Sequence, residues 1–433
     1  MAGTVAATLP MWLGGVPGRY IRPPVRWPVQ TGLSAHVYLS LAAPVGISSA
    51  QPLSERQATA MLDQIIKHPL KIVSFARKMR AAHELYGKPY PELLRRFLRL
   101  CEHELFTPRE VFLWDLLGAK FGDDEFQLAL SKTACVSLQQ HLNSPAAAAL
   151  TEDKAIFYQY CASNGLPSPR LLAVMGPQIG WTPDRSVLAS DDDWSRFFAE
   201  IDSSSIVIKP ALGVYARGVR LLRRDGADWV DARGHRLTPQ ELTRDLRQDA
   251  SYNSFVVQER AYPHPRLVEL SGTTYMQTLR VVTVVLPGQG AQVAFPLVKV
   301  IAGSSAVDNF SYGATGNFLA PIDLATGRIE CARAARPGGV GTEVIDRHPV
   351  TGVPFAGFEV PLWDEACDLA RRAAMSFLPL ITIGWDIGIT PDGPQLIEGN
   401  AWWDPVHTME KKMDVFRNWT RAILEKAPLP ASS

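Results

Sequence analysis

The chain has 433 residues, 46% hydrophobic and 20% charged, with a formal net charge of +1. That length exceeds one ordinary core and predicts two to three globular domains. The near-zero charge removes the electrostatic case for a nucleic-acid or polyanion binder. The five cysteines (Cys101, Cys135, Cys161, Cys331, Cys367) are scattered, with no CxxC spacing. They fit reduced thiols better than a disulfide framework or a zinc site, and none is expected to act as a nucleophile. The opening "MAGTVAATLPMWLGG" has no basic segment before an apolar one, and no run of about eighteen apolar residues follows anywhere. The expectation is a cytoplasmic protein without a membrane span.

Residues 1–50 are rich in Pro, Gly and Ser without a sustained period, and read as an irregular arm. Residues 51–150 turn helical. "ERQATAMLDQIIKH", "PELLRRFLRLCEHEL" and "DDEFQLALSKTACVSLQQHL" place apolar residues at i, i+3, i+4 and i+7. In "FTPREVFLWDLLG", Thr107 is the expected N-cap, Pro108 the first helical residue and Gly118 the C-terminal cap. Thr151 is the expected cap of a helix running to Asn164, with Gly165 as its stop. Beyond it strands and helices mix. "SIVIKP" and "SFVVQERA" are apolar strands, and "MQTLRVVTVVL" pairs with "AQVAFPLVKVIAG" about "PGQG". "DEACDLARRAAMSFL" is an amphipathic helix. The mixture predicts an α+β class, with no internal repeat. Region 151–255 is expected to form one subdomain and 256–425 a second.

The chemistry concentrates in "GWDIGITPDGPQLIEGNAWWDP", residues 384–405. Two strands flank a "PDG" turn. A three-residue loop, Pro391-Asp392-Gly393, pairs Thr390 with Pro394 and sets Asp386 opposite Glu398, with Asn400 on the same face. A two-residue Asp392-Gly393 loop would set Asp386 opposite Gly399 instead, and a five-residue loop would keep the first register. Two carboxylates and an amide oxygen on one face suit a hard cation such as Mg²⁺; an exposed polar face is the competing reading. Upstream, Lys209 ends an apolar strand before a loop with Gly213 and Gly218, an arrangement suited to phosphate. It is not a Walker loop, because no GK[ST] follows. Gln258 and Glu259 end another apolar strand. Arg280 sits inside an apolar strand and needs an anionic partner. Lys154 follows Asp153 at a helix start.

In this order the segments resemble the ATP-grasp superfamily, and within it the sugar-transfer-associated, α-L-glutamate ligase-related branch. The resemblance rests on Asp153-Lys154, "VIKP" with its Gly loop, "VVQER", His264-Pro265, Thr278-Leu279-Arg280, Asp308-Asn309 with Gly313, His348-Pro349 with Thr351-Gly352, and the final hairpin. It spans roughly residues 100–410. It implies two α+β subdomains clamping ATP, with a helical N-terminal region outside the pattern. By that resemblance, Lys154 and Lys209 contact the ATP phosphates, and Lys209 also lies near the adenine. Gln258, Glu259 and the backbone at Ala261 form the adenine hinge, and the loop Gly213 to Gly218 is a flap. Asp386, Glu398 and Asn400 hold one or two Mg²⁺, with Mn²⁺ as a substitute, and Arg280 stabilises the transferring phosphoryl group. Asp308, Asn309 and Asn317 face the acceptor. Trp402 and Trp403, adjacent after the hairpin, either shape a substrate pocket or belong to the core.

The implied reaction is ATP-dependent activation of a carboxylate as an acyl phosphate and its joining to an amine, with Arg280 and Lys209 as the catalytic pair. The alternatives are a phosphotransferase acting on a hydroxyl or carboxylate of a small molecule or sugar, and a non-catalytic nucleotide-binding scaffold. The expected partners are a small-molecule carboxylate and amine, without nucleic acid; a homodimer is a possible assembly.

Overall fold

A computed structural model describes residues 69–102, 105–118, 129–213, 216–303, 305–406 and 413–425. The chain divides into Met1–Val45 and Gly46–Ser433, and every described residue belongs to the second unit. The expected arm, the helix read over 55–68 and the first part of the stretch 123–142 lie outside the described residues.

The N-terminal region is helical: α1 (Pro69–Tyr86), α2 (Tyr90–Glu102), α3 (Pro108–Leu113) and α4 (Lys132–Leu142). Thr107 caps α3 through a reciprocal box, its Oγ1 accepting from Glu110 N and its own N–H donating to the Glu110 carboxylate at 2.8 Å. The helix stops at Leu113, short of Gly118. Asp115 sits at φ +57, where its carboxylate accepts from Tyr86 Oη, Thr342 N and Thr342 Oγ1 at 2.9, 3.0 and 2.6 Å. Three tertiary hydrogen bonds replace one further helical turn. The next helix also starts differently from expectation. Asp153, rather than Thr151, caps α6 (Lys154–Ser163), and Thr151 sits in a preceding turn, α5 (Ala149–Glu152). The Thr151 hydroxyl donates back to Ala148 O, so it is not placed to cap.

Two antiparallel sheets follow. The first has eight strands in the order β3-β2-β1-β8-β4-β5-β6-β7, with the short β2 (Gly180–Trp181) and β3 (Val187–Leu188) at one edge and β6 (Asp228–Asp231) and β7 (Arg236–Leu237) at the other. Its centre is β1 (Leu171–Met175), β8 (Phe255–Glu259), β4 (Ser205–Pro210) and β5 (Arg220–Asp225). Trp194 and Phe198 of α7 (Asp191–Glu200) and Leu242 of α8 (Pro239–Arg247) fill its core with Trp229 and Phe255. After α9 (Pro265–Ser271), the second sheet has seven strands in the order β13-β12-β11-β10-β9-β14-β15, with β11 (Phe318–Pro321), β12 (Ala332–Ala335) and β13 (Thr342–Ile345) toward one edge. Its centre is β10 (Gly290–Val300), β9 (Thr278–Leu286), β14 (Thr382–Thr390) and β15 (Gly393–Asn400), covered on one face by α10 (Trp363–Ser376). The helical region packs on this sheet: Phe97, Phe112 and Trp114 share a core with Leu297, Phe310 and Leu319.

The β14–β15 turn corrects the expected loop. Thr390 pairs with Gly393 and Ile389 with Pro394, so the turn has two residues, Pro391 and Asp392. Carried on unbroken, that register would set Asp386 opposite Ile397. A bulge intervenes: Ile387 pairs with Leu396 but Asp386 pairs with Glu398, and Ile397 is the extra residue. The physical reason lies at both ends. Pro394 has no N–H to close a hairpin, whereas Gly393 at φ +122 does. At the bulge, the Ile397 carbonyl accepts from the buried Tyr158 hydroxyl. The predicted Asp386–Glu398 pairing therefore exists, by a different route.

One buried side chain joins α4 to the sheet. Asn143 donates to Thr382 O and Ala401 O at 2.8 and 3.1 Å and accepts from Ile381 N and Thr382 N at 2.8 and 3.0 Å. All its amide positions are used. Asn143→Ala leaves strand-end peptide groups without partners and is expected to cost about 1–3 kcal/mol. The readout is a lower urea midpoint at unchanged m-value; a wild-type midpoint would show that these strand ends do not depend on Asn143.

Candidate active site

The two sheets face each other across a cleft of about 420 Å³. Lys154, Lys209, Gly213, Gln258, Glu259, Ala261, Arg280, Asp308, Asn309, Asp386, Glu398, Asn400, Trp402 and Trp403 all line it. Two of the sequence-predicted residues do not. Gly218 (φ +74) is required by packing, because a Cβ there would lie 2.7 Å from the Tyr252 ring and 2.9 Å from Pro210. Asn317 is buried behind the loop, donating to Val307 O and Asn309 O and accepting from Ala302 N. Its amide stitches the loop and does not face the cleft. The middle of the expected flap, Val214 and Tyr215, lies outside the described residues.

The centre is a row across the second sheet. Asp386 on β14 stands opposite Arg280 on β9 and Glu398 on β15. Its Oδ1 accepts from Arg280 Nε at 2.7 Å, and its Oδ2 from Lys299 Nζ at 2.9 Å and Arg280 Nη2 at 3.3 Å. Burial favours the neutral acid, but the two cations outweigh it and hold the Asp386 pKa down at about 2. Lys299 also lies 3.8 Å from Asp308 Oδ1, while Asp308 Oδ2 accepts from Thr278 N and Oγ1 at 2.7 and 2.6 Å. Lys299 was not singled out from the sequence, although a lone lysine in the apolar strand "AQVAFPLVKVIAG" is the same signal that marked Arg280.

The lysines come from the other side. The cap at Asp153 turns Lys154 inward, so it is buried and does not ride the helix surface. Its Nζ is 2.8 Å from Glu398 Oε1 and donates to Gly213 O at 3.0 Å, joining the second sheet to the loop after β4. Lys209 donates to Tyr158 Oη at 3.1 Å. Desolvation lowers its pKa to about 8, against the pull of Glu398 and with the push of Lys154. Tyr158, whose hydroxyl links Lys209 to the bulge carbonyl, was also missed; nothing in a helical "FYQY" distinguishes it from core. Gln258 is buried and donates to Pro169 O at 3.3 Å, and Glu259 pairs with Arg170 at 3.0 Å.

The two tryptophans divide. Trp402 is half-buried at the cleft wall. Trp403 is a core anchor: 1% exposed, donating to Thr382 Oγ1 at 3.1 Å and packed against Phe295 and Phe416.

Among the described residues no group of three or more His, Cys, Asp or Glu side chains converges as a metal cage. The donor set of the hairpin is nonetheless chemically suited to Mg²⁺. Two carboxylates share one face, and Asn400 donates its Nδ2 to Gly384 O at 3.1 Å, which leaves its oxygen as the acceptor atom. Seven basic and six acidic side chains line the cleft. That balance is too close to neutral to hold a triphosphate without an added cation. All five cysteines are free thiols. No described helix is long and apolar enough to cross a membrane.

Two antiparallel sheets closing on a cleft lined by lysines, with an acidic hairpin on one wall, define an ATP-grasp fold. The family model for sugar-transfer associated ATP-grasp matches residues 134–416, and the chain belongs to that family. No curated protein matches it. Among solved structures, D-alanyl-alanine synthetase A from Vibrio cholerae is 13% identical, at a TM-score of 0.37 with 65% of this chain and 67% of that one covered. N5-carboxyaminoimidazole synthase from Aspergillus clavatus is 12% identical, at 0.37 with 70% and 60% covered. Phosphoribosylamine–glycine ligase from Thermotoga maritima is 11% identical, at 0.39 with 66% and 57% covered. The chain thus spans between 57% and 67% of the length of these three.

The lowered Lys209 pKa carries a signed prediction. The ammonium attracts phosphate and the neutral amine does not, so affinity for Mg·AMPPNP is expected to fall as pH rises past about 8. Calorimetry at pH 8.5 in buffers of unlike ionisation enthalpy should show proton uptake on binding, and Lys209→Met should abolish it. Uptake that persists in that variant would assign the proton elsewhere.

Proposed function

We propose that the protein is an ATP-dependent phosphotransferase of ATP-grasp type that moves the γ-phosphoryl group to an oxygen, carboxylate or hydroxyl, of a sugar-type small molecule. The observation that carries this reading is the convergence of Lys154, Lys209, Arg280 and Lys299 on one cleft, each held by Asp308, Asp386, Glu398 or Tyr158. The family description, associated with sugar transfer, supports the acceptor class.

In this reading Lys154 and Lys209 bind the phosphates, and Gln258, Glu259 and the Ala261 backbone frame the adenine. Arg280 and Lys299 sit where charge on the moving phosphoryl group is to be neutralised. Asp386, Glu398 and Asn400 hold Mg²⁺ (one or two ions, or Mn²⁺), which when bound supplies charge neutralisation for the phosphate oxygens. The new P–O bond forms to the acceptor oxygen as the bond from Pγ to the β–γ bridging oxygen breaks, and ADP leaves with that electron pair. A carboxylate acceptor needs no base. Asp386, Glu398 and Asp404 are all ion-paired, which favours an acceptor that arrives already deprotonated. Trp402 and Asn309 border the space where it would lie.

The test is ADP release over a panel of sugars and sugar acids, with and without an amine, and identification of the product. A phosphorylated product formed without an amine supports the proposal. ADP release that requires an amine as well as an acid restores the carboxylate–amine ligase, and Mg·ATP binding without turnover on any acceptor leaves the scaffold. Glu398→Ala is expected to lower turnover by at least 100-fold while circular dichroism and the unfolding midpoint stay near wild type, since Glu398 is a partly exposed group on the cleft side of β15. Near-normal ADP production by that variant would remove the hairpin from the mechanism.

A further inference from the structure

Beside the cleft lies a second, smaller cavity of about 80 Å³. It shares Lys132, Arg280, Lys299, Asn309 and Asp404 with the cleft, so the two are joined at the reacting end. Its far wall is aromatic: Trp114 comes from the helical region before the residues the family model matches, and Phe310 and Tyr312 come from within them. Trp114 follows α3 and stacks on Phe310 at 6.0 Å with an 18° interplanar angle, and Tyr312 closes the corner at 6.3 Å from Trp114. Leu297, Leu319 and Val406 complete the apolar lining. At the mouth, Lys132 pairs with Asp404 at 2.7 Å, and Asn309 adds an amide.

The backbone holds this wall in place at a cost. Ser311 and Tyr312 are consecutive non-glycine residues at φ +46 and +54, and Asp115, directly after Trp114, is at +57. Such conformations are unfavourable for residues with a Cβ and persist only where surroundings over-determine them. Here Arg109 donates to Ser311 O at 3.1 Å and lies over the Tyr312 ring at 4.4 Å, while Asp115 is fixed by Tyr86 and Thr342. Two strained turns thus converge on one small cavity.

We infer that this cavity is the acceptor subsite and takes a single sugar ring, its C–H face on Trp114 and Tyr312 and its hydroxyls on Lys132, Asp404 and Asn309. The assignment rests on the phosphotransfer reading above. Size supports it: at about 10–15 Å³ per water on this measure, the cavity holds roughly five to eight waters, or roughly 160–240 Å³ of liquid. That is on the order of one monosaccharide ring. Composition supports it as well, because an apolar floor with a few charged groups at one end fits a ring that is apolar on its faces and polar on its rim.

Saturation-transfer NMR on the full chain with Mg·AMPPNP, probed with D-glucose, D-galactose and D-glucuronate and with cyclohexanecarboxylate as the apolar acid, tests it. At least one sugar should show saturated ring protons. Tyr312→Ala and Val406→Trp should each weaken that binding tenfold or more while leaving the Kd for AMPPNP within twofold, since neither residue borders the cleft. Equal sugar binding in both variants, binding of cyclohexanecarboxylate alone, or no binding of any probe overturns the assignment. Failure of the wild-type chain to bind AMPPNP overturns the nucleotide reading itself and this assignment with it.

Discussion

Asp386 sits in a strand whose nine residues are all buried, and a charge in that position survives only with partners of opposite sign. Arg280 and Lys299 are those partners, one from the neighbouring strand and one from the strand beyond. This arrangement ties the register of β10, β9 and β14 together. A slip of one residue would turn Asp386 toward α10 and leave both cations facing an empty wall. The ion cluster is therefore a poor source of net stability but a strong selector of one pairing over its neighbours. The same selection places Glu398, because the Ile397 bulge resets β15 by one residue to meet it.

The cluster is also poised for exchange. Asp386 gives its oxygens to Arg280 and Lys299, and Glu398 gives one to Lys154. A ligand that brings both a hard cation and phosphate oxygens can replace every one of these pairs without leaving a charge bare. In the proposed reading the carboxylates would turn to the cation and the basic side chains to the phosphates. Lys154 bridges the acidic hairpin and the Gly213 loop of the opposite sheet.

Much of this was readable from residue types. A charge inside an apolar strand is expensive, and that cost marks Arg280 and Asp386 before any coordinates are known; Lys299 carried the same mark. The paired strands and the α3 cap follow from periodicity and turn chemistry; the opposition of Asp386 and Glu398 was expected from a three-residue loop and is reached instead by a two-residue turn and a bulge. What was not readable depends on contacts between distant segments. The bulge needs Tyr158, the early end of α3 needs Thr342, and the burial of Asn317 needs Val307 and Asn309. None of these leaves a local pattern. Trp402 and Trp403 show the limit well: identical neighbours in sequence, one half-buried on the cleft wall and the other 1% exposed and hydrogen-bonded to Thr382.

The helical region looked peripheral in sequence, yet its links run to the reactive hairpin itself. Gln139 donates to Trp403 O, Asn143 holds Thr382 and Ala401, and Lys132 pairs with Asp404. All three lie at or next to α4, and all grip the segments at the open ends of β14 and β15. Trp114, from the same region, forms the aromatic side of the adjoining cavity. One helical layer thus both anchors the acidic hairpin and walls the neighbouring cavity. The physical consequence is that a shift of the helices has a direct packed route to the hairpin, through Asn143 to Thr382 and Ala401 and through Lys132 to Asp404.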